Sequence, residues 1–269
     1  MAITTRGAFA WISLLVYASG TGSAEVWASD LRTAEQKEES CWKLRYGHCD
    51  GIERSDDLVL VFPSDQFKRS PALVVKKLQS SWDLLREMTG IDPRKHFGQR
   101  VVIGYRHRSD EGGQDCLPGW IAQSGWTYGF SGEIWPCINV PWYYLKARDE
   151  PEECLTVELV HPFLAAKRPL HGGMWDEAIC EFLSLPLCDA AGLTKVRDHR
   201  YRLYRRSAWR SETWIFQDYT GRLIRWCERN NLNLRKPDQL KVAVRQLWDM
   251  DFEAVLGKPL PKVRRGSPR

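Results

Sequence analysis

The alternation of hydrophobic and polar positions predicts a β-α-β unit over residues 57–106. The largely apolar run at 57–63 is typical of a buried strand, and apolar residues at helical spacing follow over 70–89. Gly90 is a natural C-terminal stop for that helix, and a second apolar run at 100–106 completes the unit. Because such crossovers usually join parallel strands, we expect the two strands to pair in parallel.

The next stretch predicts an extension of the sheet. Residues 107–132 are rich in glycine and indicate a long ordered loop or a hairpin. The apolar run at 134–140 predicts another strand, and Pro136, which has no backbone N–H, favours an edge position for it. Such an edge can bind an extended peptide by strand addition.

The rest of the chain has helical periodicity. Asp149 as a cap and Pro151 in the first turn predict the start of a helix. Pro162 removes a backbone donor, so we expect this helix to kink or stop near His161. Later helices are predicted over 174–185, closed by Pro186, over 194–230, interrupted near Gly221, and over about 237–256. The fold class is therefore α+β, with a small mixed sheet in the N-terminal subdomain and a mostly helical C-terminal subdomain.

Composition and the N-terminus indicate an exported globular protein. The 269 residues are 43% hydrophobic and 27% charged, which is ordinary for a domain with a sizeable core. Arg6, the apolar run at 7–20 and the small residues before Ala24 predict a signal peptide cleaved after Ala24, or after Ala28. We expect a secreted or periplasmic protein that is not membrane-bound after cleavage. The predicted segments are 1–24 (signal peptide), 25–56 (disulfide-containing), 57–257 (main domain) and 258–269 (basic disordered tail).

The number of cysteines fits a secreted or periplasmic protein. All eight cysteines follow the cleavage point, and an even number in an oxidising compartment predicts disulfides. Neighbours in sequence are the preferred pairs, although other pairings stay open. The preferred pairs are Cys41–Cys49, Cys116–Cys137 and Cys180–Cys188, and the two other candidates are Cys154 and Cys227.

Two short motifs carry the candidate chemistry. Glu158 and His161 form E-x-x-H, and Glu177 follows in a W-x-E-x-x-x-E segment that ends at Glu181. In the related H-E-x-x-H helix, two imidazoles at i and i+4 bind zinc, and the glutamate between them acts as a base on the metal-bound water. Val157 occupies the first imidazole position and cannot coordinate a metal.

The order of these features resembles the gluzincin group of zinc peptidases, the thermolysin-like clan. Strand, helix, strand, edge strand, E-x-x-H, glycine turn and W-x-E-x-x-x-E follow one another over residues 57–257. The resemblance implies a zincin-like fold in which Glu158 is the general base and His161 and Glu177 are zinc ligands. It also implies that Glu181 orients a ligand histidine through a hydrogen bond. With Val157 in the first position, we expect zinc binding to be weak or absent.

Further side chains could complete or assist such a site. His171, in the glycine turn, is a candidate replacement ligand. Zincins often keep an oxyanion-steadying residue where this chain has His199, Tyr201 and Tyr204.

These observations favour a metallopeptidase-like protein with a degenerate site that binds a polypeptide or a glycan without hydrolysing it, and they leave enzymatic activity open. One alternative is an active zinc-dependent hydrolase that uses His171 as the replacement ligand. Another is glycoside hydrolysis by Glu158 and Glu177 as a carboxylate pair.

A third alternative is a binder of acidic polymers. The net charge is +5, and the segment 195–210 is basic. No nucleic-acid module accompanies it, so we do not expect nucleic acid as a partner. The arginines of this segment are Arg197, Arg200, Arg202, Arg205, Arg206 and Arg210.

Overall fold

A mixed five-stranded sheet and a group of helices make up the described part of the protein. The computed structural model describes residues 33–106, 119–124, 134–141, 151–167, 174–206 and 215–248. The strands are β1 (Gly51–Arg54), β2 (Leu58–Phe62), β3 (Val101–Arg106), β4 (Gly119–Ser124) and β5 (Ile134–Pro141). The helices are α1 (Ala34–Tyr46), α2 (Pro71–Thr89), α3 (Pro93–Phe97), α4 (Pro151–Glu158), α5 (His161–Lys167), α6 (Met174–Ala190), α7 (Thr194–Arg206), α8 (Ile215–Arg229) and α9 (Pro237–Trp248).

The strands lie in the order β1-β2-β3-β5-β4. β2, β3 and β5 are parallel, whereas β1 and β4 pair antiparallel at the two sides. The predicted parallel pairing within the β-α-β unit is confirmed, and the mixed sheet with its helices is an α+β arrangement. The antiparallel pairing of β4 with β5 agrees with the hairpin alternative for residues 107–132.

β5 is not an edge strand, so that prediction was wrong. It pairs with β3 on one side and β4 on the other. Pro136 pairs with Ala122 of β4, and the β3 pairing begins one residue later, at Val102 with Cys137. The missing N–H of Pro136 therefore falls where β5 has only one neighbour, which explains how a central strand tolerates it.

α2 connects β2 to β3 and contributes much of the core. The Ser70 side chain accepts a hydrogen bond from the Leu73 N–H, and Gly90 has the left-handed backbone that ends the helix, as the sequence predicted. The apolar residues at helical spacing are buried, and Trp82 packs against Phe163 of α5 with ring centroids 4.7 Å apart. α2 thereby lies between the sheet and the helices that carry the candidate site.

The N-terminal segment contains regular structure that the sequence analysis missed. Thr33 and Gln36 form a reciprocal capping box at the start of α1. β1 pairs with β2, with Gly51 opposite Phe62, so the sheet begins before residue 57. Residues 1–32 and 249–269 lie outside the described residues, and the predictions for the signal peptide and the basic tail stay predictions.

The helix break near His161 is confirmed. α4 ends at Glu158 and α5 begins at His161. The Val160 N–H bonds to the Val157 carbonyl (3.2 Å), a tighter step than the usual four-residue spacing. Pro162 cannot supply the N–H that a continuous helix would direct at Glu158.

α6 is longer than predicted, because it continues through the buried Pro186 to Ala190. Its end is a Schellman motif in which the Leu193 N–H bonds to the Cys188 carbonyl (2.7 Å) and Gly192 has φ +77°. Burial of the surrounding leucines, Leu185 and Leu187, offsets the cost of the internal proline.

The C-terminal helices also differ from the prediction. α8 runs through Gly221, where an interruption was expected. Gly221 is buried beside Thr220, whose hydroxyl donates to the Ala178 carbonyl of α6 (3.3 Å), so a residue without a side chain suits the close packing. The segment 207–214 lies outside the described residues. No helix in the described part is long and apolar enough to cross a membrane.

The structure contradicts the three preferred disulfides. Cys49, Cys137, Cys180, Cys188 and Cys227, the cysteines whose side chains are described, are buried and form no disulfide. Cys180 and Cys188 are eight residues apart on α6, about 12 Å along the axis, which is beyond the reach of a disulfide. The Cys49 thiol instead donates to the Tyr105 carbonyl (3.6 Å).

Candidate functional site

Three predicted site residues converge at the junction of α4, α5 and α6. His161 Nε2 lies 3.7 Å from Glu158 Oε2 and 3.8 Å from Glu177 Oε2. The break between α4 and α5 after Glu158 and the packing of α6 against α4 bring these three side chains together. His161 is 8% exposed, whereas the Glu177 side chain is 50% exposed, so the cluster reaches solvent through Glu177.

The imidazole of His161 is neutral near neutral pH. Burial lowers the pKa of His161 to about 4, and the Asp176 carboxylate opposes this only in part. The two carboxylates therefore approach an uncharged ring, at distances too long for hydrogen bonds. Neither contact is an ion pair under these conditions.

The other ring nitrogen faces a thiol. Cys180 Sγ lies 3.6 Å from His161 Nδ1. Burial, followed by the carboxylates of Glu177 and Glu158, raises the pKa of the Cys180 thiol well above its usual range, so the sulfur keeps its proton. An S–H that donates to Nδ1 leaves the ring proton on Nε2, where it faces the carboxylates. The electrostatics favour this tautomer, because the alternative directs an Nε2 lone pair at two negative oxygens.

Glu177 and Glu181 lie one turn apart on α6, and the Glu181 carboxylate affects the pKa of Glu177. Burial, followed by the Glu181 and Asp176 carboxylates, raises the pKa of Glu177. Burial also raises the pKa of Glu181, opposed by a hydrogen bond from Tyr204 and by the charge of Arg200. Glu177 is thus a carboxyl group that holds a proton more readily than an isolated glutamate.

Glu181 contacts a tyrosine and not the histidine. The Tyr204 hydroxyl of α7 donates to Glu181 Oε2, and Tyr204 is buried. The neighbour of His161 Nδ1 is Cys180, a residue that the sequence analysis treated only as a disulfide candidate. Its place on α6, one turn after Glu177, was the available sequence signal.

A hydrophilic network lies behind this cluster. Arg200 of α7 donates to Ser184 Oγ (3.0 Å) and Thr156 Oγ1 (3.3 Å), which joins α7 to α6 and α4. Thr156 and Ser184 are buried. The network fixes the three helices that carry the site and was not predicted from the sequence.

Tyr201 and His199, two further candidates, have surroundings of their own on α7. The Tyr201 hydroxyl donates to Glu228 Oε1 of α8 (3.0 Å), and His199 is exposed on α7. His171 lies outside the described residues, so its role as a replacement ligand stays a prediction.

The described residues do not fit a hydrolytic zinc site. Such a site needs three protein ligands and an open position for water. His161 and Glu177 would supply two, and Val157, which is 9% exposed, belongs to the apolar core. Over the described ranges, no group of three His, Cys, Asp or Glu side chains is placed to hold a metal ion.

Comparisons with protein families, with curated proteins and with solved structures give no match for this chain. Any functional conclusion consequently depends on the geometry of the residues themselves.

Proposed function

We propose that this protein is an exported, metallopeptidase-like protein of zincin-like fold that binds a polypeptide or a glycan without hydrolysing it. The observation that carries the proposal is the cluster at α4–α6. Glu158 and Glu177, 19 residues apart in the chain, both lie within 3.8 Å of His161 Nε2, while a buried Val157 stands in the first ligand position. The cluster retains the general base and two ligands of the gluzincin pattern and lacks the third ligand.

The protonation states support a binding role over catalysis. Zinc bound beside Glu177 would need the Nε2 lone pair of His161, but the Cys180 contact and the facing carboxylates favour a proton there. The half-exposed Glu177 instead offers a hydrogen-bond acceptor that reaches solvent, and neutral His161 offers a donor directly behind it. Amide and hydroxyl groups of a polypeptide or a glycan can pair with both.

Zinc content tests the missing-ligand argument. Elemental analysis of the mature protein, after dialysis against micromolar zinc, should give near-zero zinc for the wild type. Val157→His should bind about one zinc per chain, because it restores three protein ligands. A Val74→His variant, which also places a histidine in the core but far along the sequence from Glu158, controls for nonspecific uptake.

Other outcomes would overturn the proposal. One zinc per wild-type chain would mean that a replacement ligand completes the site. Zinc in none of the folded variants would argue against the zincin-like arrangement. Cleavage of a peptide library that chelators stop and Glu158→Gln abolishes would establish an active peptidase.

A further inference from the structure

One face of α7 carries a row of basic side chains. Lys195, His199, Arg202 and Arg206 follow at i, i+4, i+7 and i+11, which places them on one side of a helix with 3.6 residues per turn. All four are exposed. We call this row the α7 stripe. It is about 16 Å long at the rise of an α-helix.

The opposite face of α7 is buried and structural. Arg197 is buried and pairs with Asp189 (3.0 Å) and Asp198 (2.5 Å). Arg200 bonds to hydroxyl groups of α4 and α6, and Tyr204 bonds to Glu181. The basic segment therefore divides into arginines that hold the fold together and basic side chains that face solvent.

The acidic residues near the stripe already have basic partners. Asp198 is paired with Arg197 and with Arg235 (3.1 Å), and Glu228 accepts from Tyr201 and pairs with Arg205 (2.9 Å). Among the residues that the structure describes, Lys195, Arg202 and Arg206 form no ion pair. An unneutralised row of this kind attracts an anion with several charges along its length.

We propose that the α7 stripe is a binding site for a linear acidic polysaccharide. Lysine and arginine rows are typical of polysaccharide and nucleic-acid patches, and a guanidinium pairs with planar or tetrahedral oxyanions through two hydrogen bonds. Leu203 is the large apolar residue exposed on the described α7, so the helix has little apolar surface to insert into a membrane. No tryptophan, tyrosine or phenylalanine belongs to the stripe, which disfavours the base stacking that binds single-stranded nucleic acid.

This site is separate from the cluster around His161. Tyr204, which contacts that cluster through Glu181, lies on the opposite face of α7 from the stripe. The inference does not depend on zinc, on Val157 or on the proposed function.

Heparin binding of the mature protein, measured across a range of salt concentrations, tests the site. Affinity should fall linearly with salt on logarithmic axes, because polyanion binding releases counterions. Arg202→Glu/Arg206→Glu should weaken binding about tenfold or more and make the salt dependence shallower. The control Lys76→Glu/Arg245→Glu changes the net charge equally at two exposed positions on α2 and α9, and should stay within about twofold of the wild type.

A pair of neutral substitutions tests whether the loss of affinity comes from misfolding caused by the charge reversal. Arg202→Gln/Arg206→Gln should keep the wild-type thermal transition and still lose heparin affinity. Equal losses in stripe and control variants would mean that only net charge matters and would overturn the site. Stripe-dependent binding that is tighter to duplex DNA, or to phosphatidylserine–phosphatidylcholine vesicles, would overturn the assignment of a polysaccharide. Zinc content of the stripe variants should equal that of the wild type, so failure here is distinguishable from failure of the proposed function.

Discussion

The buried carboxyl group of Glu181 depends on partners from the next helix. Burial raises the pKa of Glu181, while the Tyr204 hydrogen bond and the charge of Arg200 counteract that rise. Because the folded-state pKa is above the unfolded value, folding favours the protonated form. This group's contribution to the free energy of unfolding therefore decreases as pH rises from the unfolded towards the folded pKa.

Tyr204→Phe should consequently destabilise the protein more in alkali than in acid. The variant removes a donor to the charged carboxylate, which raises the folded pKa of Glu181 further. We expect the free energy of unfolding to drop by about 1–3 kcal/mol near pH 8 and by less near about pH 3, where the carboxyl is largely protonated in both states. Denaturant unfolding at several pH values measures the difference.

Tyr201→Phe is the matched control. Its hydroxyl also donates to a glutamate, but Glu228 is exposed on the surface of α8. Water can replace the lost bond, so the cost should stay below about 1 kcal/mol at every pH. Equal costs for the two variants, or a greater cost of Tyr204→Phe in acid, would contradict this role of Tyr204.

Only part of the site could be predicted from the sequence. The order of the motifs led to Glu158, His161 and Glu177, and these side chains do converge. The contact of His161 Nδ1 with Cys180 could not be predicted from the sequence, because it depends on the angle between α5 and α6. Cys180 was therefore predicted to form a disulfide, although its thiol lies against the imidazole of His161.

One aromatic side chain of the first helix packs against the sheet at a glycine. Tyr46, at the end of α1, is fully buried and donates to Asn139 Oδ1 of β5 (2.6 Å). A Cβ at Gly104 of β3 would lie 2.4 Å from two atoms of the Tyr46 ring. Gly104 is thus required for close approach of α1 to the sheet.

Gly104→Ala should therefore destabilise the fold by about 1–3 kcal/mol through overpacking. The same substitution in a Tyr46→Ala background should cost much less, because the ring that it meets is gone. A double-mutant cycle from denaturant unfolding measures this coupling. If the two substitutions were additive, the Tyr46–Gly104 contact would not be what positions α1.

The elements with strong periodicity were the predictable ones. α2 has apolar residues at each turn and clear caps, β2 is an uninterrupted apolar run, and β3 begins with three apolar residues. α1 is polar over most of its length and was missed, although Thr33 and Gln36 form a capping box. The position of β5 was predicted wrongly because a proline usually marks an edge strand. Pro136 instead lies one residue before the part of β5 that pairs with β3.

Buried thiols are spread through the whole molecule. Cys49 precedes β1, Cys137 lies in β5, Cys180 and Cys188 lie in α6, and Cys227 lies in α8. Burial raises the pKa of Cys227 to about 12 and that of Cys180 well above its usual range. The core itself therefore limits solvent access to all five thiols and, for Cys180 and Cys227, it also limits the thiolate form.

Alkylation without reductant tests this arrangement across the chain. Iodoacetamide at about pH 8 should leave all five of these cysteines unmodified in the folded protein, because thiolate and solvent access are both needed for reaction. In denaturant, all five should react without prior reduction, and peptide mass spectrometry assigns each site. A Ser80→Cys variant, exposed on α2, is the control for a reactive thiol and should be modified in the folded state. If any of the five reacted only after reduction, that cysteine would be in a disulfide, which would contradict this arrangement. Its partner would then be sought among Cys41, Cys116 and Cys154.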